Sequence, residues 1–523
     1  MRGIRNKRIF YLMMMCFGLY YTIQKFKPKK LINLFRFSKM KVKITILFLL
    51  SIFIFFSIGD LTSAEISVTE KVGYKLWLFG KVKYVKLITD ENGKVHFMLV
   101  IRKPFLGYKR EIFVLDGIKV AKFSFIESII FSKKNFNYAF LGYKGYNQYL
   151  VINGKVITSI YQFFITPLNE RLPKINDLKF NNNGKKLAFI LITPEEDNDK
   201  ILTKNYLCFY ENGKTKILSE IFYPYALSSD LNSFAYAKKE NNKICIYLNN
   251  EKLMEYSNEH VKEIKNMSFI QDTENLSFIL IKSNGKYYMV INRNSGPEYD
   301  YINNIVFSPN GKKYAYLAYN KNKSLVVLNG IEGPKFEFIY DDMSFTPDSK
   351  HLVYIANQGG EKSRIRFIPP TGGLWCIVVD NSIIAKNSAI RMVDYNQTLD
   401  KFSYITNEGG YPNILFQAEE GNWFLIHNDK KIGPFIFIDN LTINQRNNNV
   451  AYTINLGGKW KGNRNYKYIK GGKWYLMLND QILKLRYNKI YQIVEHGKGF
   501  YYIAKRRRKI IIGNVSLLNN NIE

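Results

Sequence analysis

Cysteine is scarce: four residues in 523, one of them among the first 39. That excludes a disulfide-dense scaffold, and no pair has the spacing of a zinc site. Histidine is as rare. His96, His260, His351, His427 and His496 fall at no H-E-x-x-H or other metal spacing, so each reads as a strand or surface residue. Proline numbers 14, and after residue 65 no helical periodicity is sustained. The nucleophile elbow G-x-S-x-G does not occur. Acidic residues, 43 against 76 Lys and Arg, leave a formal charge of +33. A chain that is 46% apolar is not a disordered one.

The N-terminus bears on what the charge is for. Lys41 to Lys43 precede the apolar run Ile44 to Ile58, which is followed by the small residues Thr62, Ser63 and Ala64. This is a basic, apolar and cleavage-site sequence of the export type. Fifteen residues are short for a bilayer span, which takes about 20. We therefore expect a signal peptide over residues 40–64, with a retained membrane anchor through residues 44–58 as the alternative. Met40 makes a better start than Met1, so we expect residues 1–39 to be an extension outside the translated product; the alternative takes Ile9 to Ile23 as a second apolar segment and makes the N-terminus a membrane-associated hairpin. Beyond Ala64 the net charge is still about +22. For an exported chain that points away from nucleic acid, towards an anionic envelope component (a glycan or lipid headgroup) or an acidic protein.

The rest of the chain repeats. The clearest copy runs from Asn303 to Tyr340. Phe307 anchors it, Ser308-Pro309-Asn310-Gly311 turns, Ala315-Tyr316 marks a second strand, and Asn329-Gly330 closes a tight hairpin. Ten copies follow from the anchor and the small-aromatic pair eight and nine residues later, spaced 38 to 50 residues apart, with weaker copies at Ile88 and Ile493. The hairpin recurs at Asp116-Gly117, Asn153-Gly154, Asn212-Gly213, Asn249-Asn250, Asp380-Asn381, Asn428-Asp429, Asn479-Asp480 and Gly513-Asn514. Four short strands in such a period make a propeller blade. The expected fold is all-β: a β-propeller of four-stranded blades with about ten repeats over residues 84–518, after a lead-in at 65–83 and before a tail at 519–523. An uninterrupted middle favours one large ring over two smaller ones.

F-S-P-N-G-K-K-Y-A-Y resembles the TolB-type, WD-repeat-like propeller motif F-S-P-D-G-K-x-[IL]-A-[FY]. The resemblance covers nearly all of the chain after residue 84. It implies a propeller, a periplasmic location and protein partners. The copy number departs from it, since that family carries six blades and a separate N-terminal α/β domain. Peptidases with such blades do their chemistry in an appended hydrolase domain, for which no chain remains here.

Three groups of residues are candidates for function. Cys208, Cys245 and Cys376 each stand four residues before a hairpin turn, at an inward-facing third-strand position, so we expect free, buried thiols. A Cys208–Cys245 bridge between neighbouring blades is the alternative. Glu127, Asp177, Asn303, Asn304, Asp341, Asp342, Asp439 and Asn440 precede the anchors, at the mouth of the channel. They suit either turn satisfaction or a hard cation. Copies seven, eight and nine alone lengthen the loop between second and third strands, each between Gly-rich necks. We expect this sector to bind, through Arg364, Arg366, Trp423, Trp460, Lys461, Arg464, Tyr466, Lys467, Tyr468, Lys470 and Trp474. Lys459 and Lys473 adjoin them. The expected function is an exported binding module without enzyme activity or cofactor. A membrane-anchored structural envelope protein comes second, and a ligand- or metal-dependent propeller enzyme last.

Overall fold

The computed structural model describes residues 66–517, apart from 77–79, 106–107, 166–169, 198–199, 271–272, 362–367, 413–417 and 464–465. The export segment and the start at Met40 lie outside these residues.

Each repeat folds as an antiparallel sheet, and in nine of the ten the strands run inner, second, third, outer in chain order. In blade 6 these are Tyr301–Phe307, Tyr314–Asn320, Lys323–Leu328 and Ile331–Glu332. The hairpin residues adopt the left-handed backbone that a type I′ turn demands, Asn329 at φ 50° and Gly330 at φ 84°. The turn Asn or Asp does a second job. Its side-chain oxygen accepts an N–H of the second strand, as Asn329 does from Tyr314, Asn153 from Tyr138, Asn249 from Phe234 and Asn479 from Val450. His96 and His351 lie against the corresponding aspartates, Asp116 and Asp380, with Nδ1 2.5 Å from the carboxylate in both cases.

There are ten such sheets, and they form one ring. The small-aromatic pairs make the seams. Ala139, Phe140, Ala188, Phe189, Ala315, Tyr316, Ala451 and Tyr452 are all buried. Each apolar cluster joins two neighbouring blades: Tyr316 and Leu325 of blade 6 pack on Ile279 and Met289 of blade 5, and Tyr354 of blade 7 on Leu317 and Phe336 of blade 6. Cys208, Cys245 and Cys376 are free and buried, two of them in such seams. Burial pushes the Cys208 thiol up to about 11, so it stays protonated.

The lead-in is part of the ring. Residues Ile66–Lys75 form the outer strand of blade 10, beside Lys489–His496, Gly499–Arg506 and Lys509–Leu517. The Leu76 N–H donates to the Arg508 carbonyl at 2.7 Å. This corrects the hairpin expected at Gly513-Asn514. Those residues sit mid-strand opposite Tyr502 and Tyr501, and the turn is at Arg507-Arg508. Gly513 is there because a Cβ would lie 2.1 Å from the Tyr502 ring.

Of the polar residues before the anchors, Asp177, Asn304 and Asn440 are bulge residues, whereas Glu127, Asn303 and Asp439 pair in the ladder and Asp341 and Asp342 lie between strands. The inner strands slip register there, and Ser128, Asp177, Asn266, Asn304 and Asn440 have φ between 46° and 55°. Asn and Asp tolerate that backbone best, which accounts for their recurrence. Among the described residues no group of three or more His, Cys, Asp or Glu is placed to hold a metal ion.

One carboxylate ties blades 8 and 9. Asp394 accepts the Ile443 N–H at 2.7 Å and the Tyr395 N–H at 3.0 Å. Burial pushes its carboxyl up to about 6 despite those donors. An unfolded aspartate titrates near 3.9. Between the two values the folded chain holds a proton that the unfolded chain lacks, so this group adds stability as pH falls through 6. Going from pH 7.5 to 5 is expected to stabilise the native chain by about 1–2 kcal/mol relative to Asp394→Asn in urea unfolding. Parallel pH dependences for the two proteins would give Asp394 an ordinary pKa.

Candidate functional site

The second-to-third hairpins of blades 7, 8 and 9 share one neck. Asn357, Asn407 and Asn455 are all buried; the first two stand at the ends of their second strands, and Asn455 stands within Val450–Asn463 where the arm leaves the blade. Each accepts the N–H three residues on, of Gly360, Gly410 and Gly458, at 3.0 to 3.1 Å. Each also donates its amide to a carbonyl of the returning strand, those of Gly372, Glu420 and Gly471. The returning glycines must be glycine: a Cβ on Gly373, Gly421 or Gly472 would lie 2.3–2.4 Å from the backbone nitrogen of Gly360, Gly410 or Gly458. The signal was present in the sequence as Asn-x-Gly-Gly at 357–360, 407–410 and 455–458. The glycines drew notice there and the asparagine did not.

Opposite each neck asparagine stands a tryptophan: Trp375, Trp423 and Trp474. They brace the ring. Trp375 stacks on Tyr340, ring centroids 4.8 Å apart. Trp423, Trp460 and Trp474 all meet Phe437 edge to face, at 5.4, 5.6 and 5.9 Å. The Arg391 guanidinium lies 4.6 Å from the same Phe437 ring. Trp423 is therefore no rim residue. It is 1% exposed, inside the seam between blades 8 and 9, and cannot touch a ligand. Trp460 and Trp474 are half-buried.

The arm of blade 9, Val450–Asn463 and Tyr466–Leu478, pairs without a break from Gly458↔Gly471 to Asn463↔Tyr466. Strand alternation sorts its residues. Trp460 and its partner Ile469 face the ring and are half-buried. Lys459, Lys461, Tyr468 and Lys470 take the other face, all exposed. Lys459 is directly opposite Lys470, and Lys461 opposite Tyr468. Lys473 is exposed nearer the neck. Backbone pairing places Tyr466 and Lys467 at the tip. Arg364, Arg366 and Arg464 lie outside the described residues.

Long arms are not confined to this sector, contrary to the sequence expectation. Blade 3 extends its hairpin over Lys186–Asp197 and Lys200–Glu211, and blade 1 over Val95–Phe105 and Tyr108–Leu115. Both are continuous ladders without a glycine neck, so no Gly-Gly signature betrays them.

The chain is a ten-bladed β-propeller. No family model and no curated protein matches its sequence. Solved structures with a similar fold include TolB from Acinetobacter baumannii, 12% identical over 54% of this chain and 76% of that one, at a TM-score of 0.25. The propeller domain of the trilobed protease from Pyrococcus furiosus is 11% identical over 66% and 96%, at 0.25. Prolyl oligopeptidase B from Galerina marginata is 10% identical over 62% and 55%, at 0.29.

Proposed function

We propose that this propeller is an exported binding module whose blade 9 arm engages an anionic envelope component or an acidic protein surface. The observation that carries it is the Lys459–Lys470 pair. Like charges directly opposite on one sheet face oppose the folding of the arm. Lys461 adds a third, and none of the three makes an ion pair among the described residues. The arm holds its charge outward because Trp460 and Ile469 fix the other face on the ring. A bound anion relieves the repulsion, and three ammonium groups beside an exposed tyrosine suit a glycan, a headgroup or a carboxylate-rich surface. The export segment, read from the sequence, puts the module where such material is found.

The test replaces Lys459, Lys461 and Lys470 by Glu together. All three are exposed, so the melting transition is expected to stay within a few degrees of the parent. Binding to envelope fractions is expected to fall at least tenfold, and the parent's binding to weaken with salt as exposed charges are screened beyond about 8 Å. A variant that binds as the parent does would place the site elsewhere.

A further inference from the structure

A basic cavity lies away from the blade 9 arm, at blades 3, 4 and 5. It has a volume of about 680 Å³ and is lined by four lysines: Lys265 pairs with Glu263, its one carboxylate, at 3.3 Å, Lys238 lies 3.7 Å from Glu240, and Lys239 and Lys262 carry the uncompensated charge. Its volume is in the range of small-ligand sites. It exists because blade 4 departs from the repeat in two ways. Its inner strand is only Tyr225–Leu227, against Val261–Phe269 in blade 5 and Tyr301–Phe307 in blade 6. The ladder stops at Tyr225↔Tyr236, with one more bond from the Ala237 N–H to the Pro224 carbonyl. Lys238 and Lys239 thus have no inner-strand neighbour. Further, the position three residues past the small residue of the pair is uncharged in the nine other blades, Leu191, Leu280, Ala318 and Ile454 among them. In blade 4 it is Lys238, half-buried and 4.8 Å above the Phe222 ring.

The other walls are polar and aromatic. Tyr223, 53% exposed, offers a ring face while its hydroxyl is held by Asp177 at 3.1 Å. Asn266 takes the inner-strand bulge position. Its counterparts Asp177, Asn304 and Asn440 are engaged in hydrogen bonds, whereas Asn266 makes none through its side chain among the described residues. Lys239 and Lys262 are exposed and make no ion pair there.

We infer that this cavity binds an acidic saccharide, a sugar carrying sulfate, phosphate or carboxylate groups. The Lys239 and Lys262 ammonium groups take the anions, Asn205 and Asn266 the hydroxyls, and the Tyr223 ring the apolar face of a pyranose. The inference does not rest on the blade 9 arm, with which the cavity shares no blade.

Calorimetric titration of the folded chain with sucrose octasulfate, fructose 1,6-bisphosphate and trigalacturonate tests it, with sucrose as the neutral control. At least one acidic sugar is expected to bind one to one and at least tenfold more tightly than sucrose. The three arms report which anion is preferred. Lys239→Ala with Lys262→Ala, both at exposed positions, is expected to weaken that binding tenfold or more at an unchanged melting temperature. The triple Glu variant of the blade 9 arm is expected to leave it unaltered. The inference is overturned if no acidic sugar binds, if sucrose binds as well, or if the double alanine variant binds like the parent.

Discussion

Glu70→Ala is expected to cost about 1–3 kcal/mol in urea unfolding, the range for leaving a buried hydrogen-bond donor without its acceptor. Glu70 sits on Ile66–Lys75, the strand that completes blade 10. Arg506 grips it with two nitrogens, at 2.8 and 2.9 Å, and the Tyr502 hydroxyl donates to it at 3.0 Å. The Tyr487 hydroxyl donates to it too. Both tyrosines are at most 1% exposed and their hydroxyls lie 2.7 Å apart, so with alanine one can donate to the other but the pair is left one acceptor short, while the half-exposed Arg506 guanidinium turns to water. Nine blades draw all four strands from one stretch of chain; this one borrows a strand from the other end. Loss of Glu70 therefore weakens the one seam that chain connectivity does not hold. Glu70→Gln keeps an acceptor for the tyrosines and should lose less. Equal stabilities of the parent and the Ala variant would mean that the strand is held by its backbone ladder alone.

Tyr316→Ser is the second large effect, about 3–5 kcal/mol by analogy with truncating a buried aromatic. Tyr316 is 2% exposed in the seam between blades 5 and 6. It meets Tyr299 edge to face at 6.2 Å. Serine removes the ring and leaves a void between two rigid sheets, neither of which can close over it without shifting its own ladder. A thermal melt should fall by several degrees. An unchanged melting temperature would mean that the small-aromatic pairs do not form the seams.

Much of this architecture is written locally. Asn329-Gly330 can only be a tight hairpin, Ala315-Tyr316 only an alternating buried strand, and ten copies of the two define blade and count. The three cysteines were placed correctly, because a position shared by every third strand is inward-facing in all of them. Local pattern failed where a residue's partner comes from far away in the chain. Trp423 looked like a rim aromatic beside a glycine-rich loop, and only its contact with Phe437 put it in the core. The arms of blades 1 and 3 have no glycine neck, and a continuous ladder has no local mark of where a blade ends.

By itself the sequence determined the blade, the number of repeats, the named hairpins other than that of blade 10, and the buried thiols. Each follows from turn chemistry and alternation within about 50 residues of chain. Only the tertiary structure decided that residues 66–75 close the ring and that blade 4 opens a lysine-lined cavity. It alone turned the tryptophans of blades 8 and 9 inward and their neighbouring lysines outward. The reason is the same each time. A strand's two faces alternate in sequence, but which face meets a neighbour is settled by blades packed side by side around the ring.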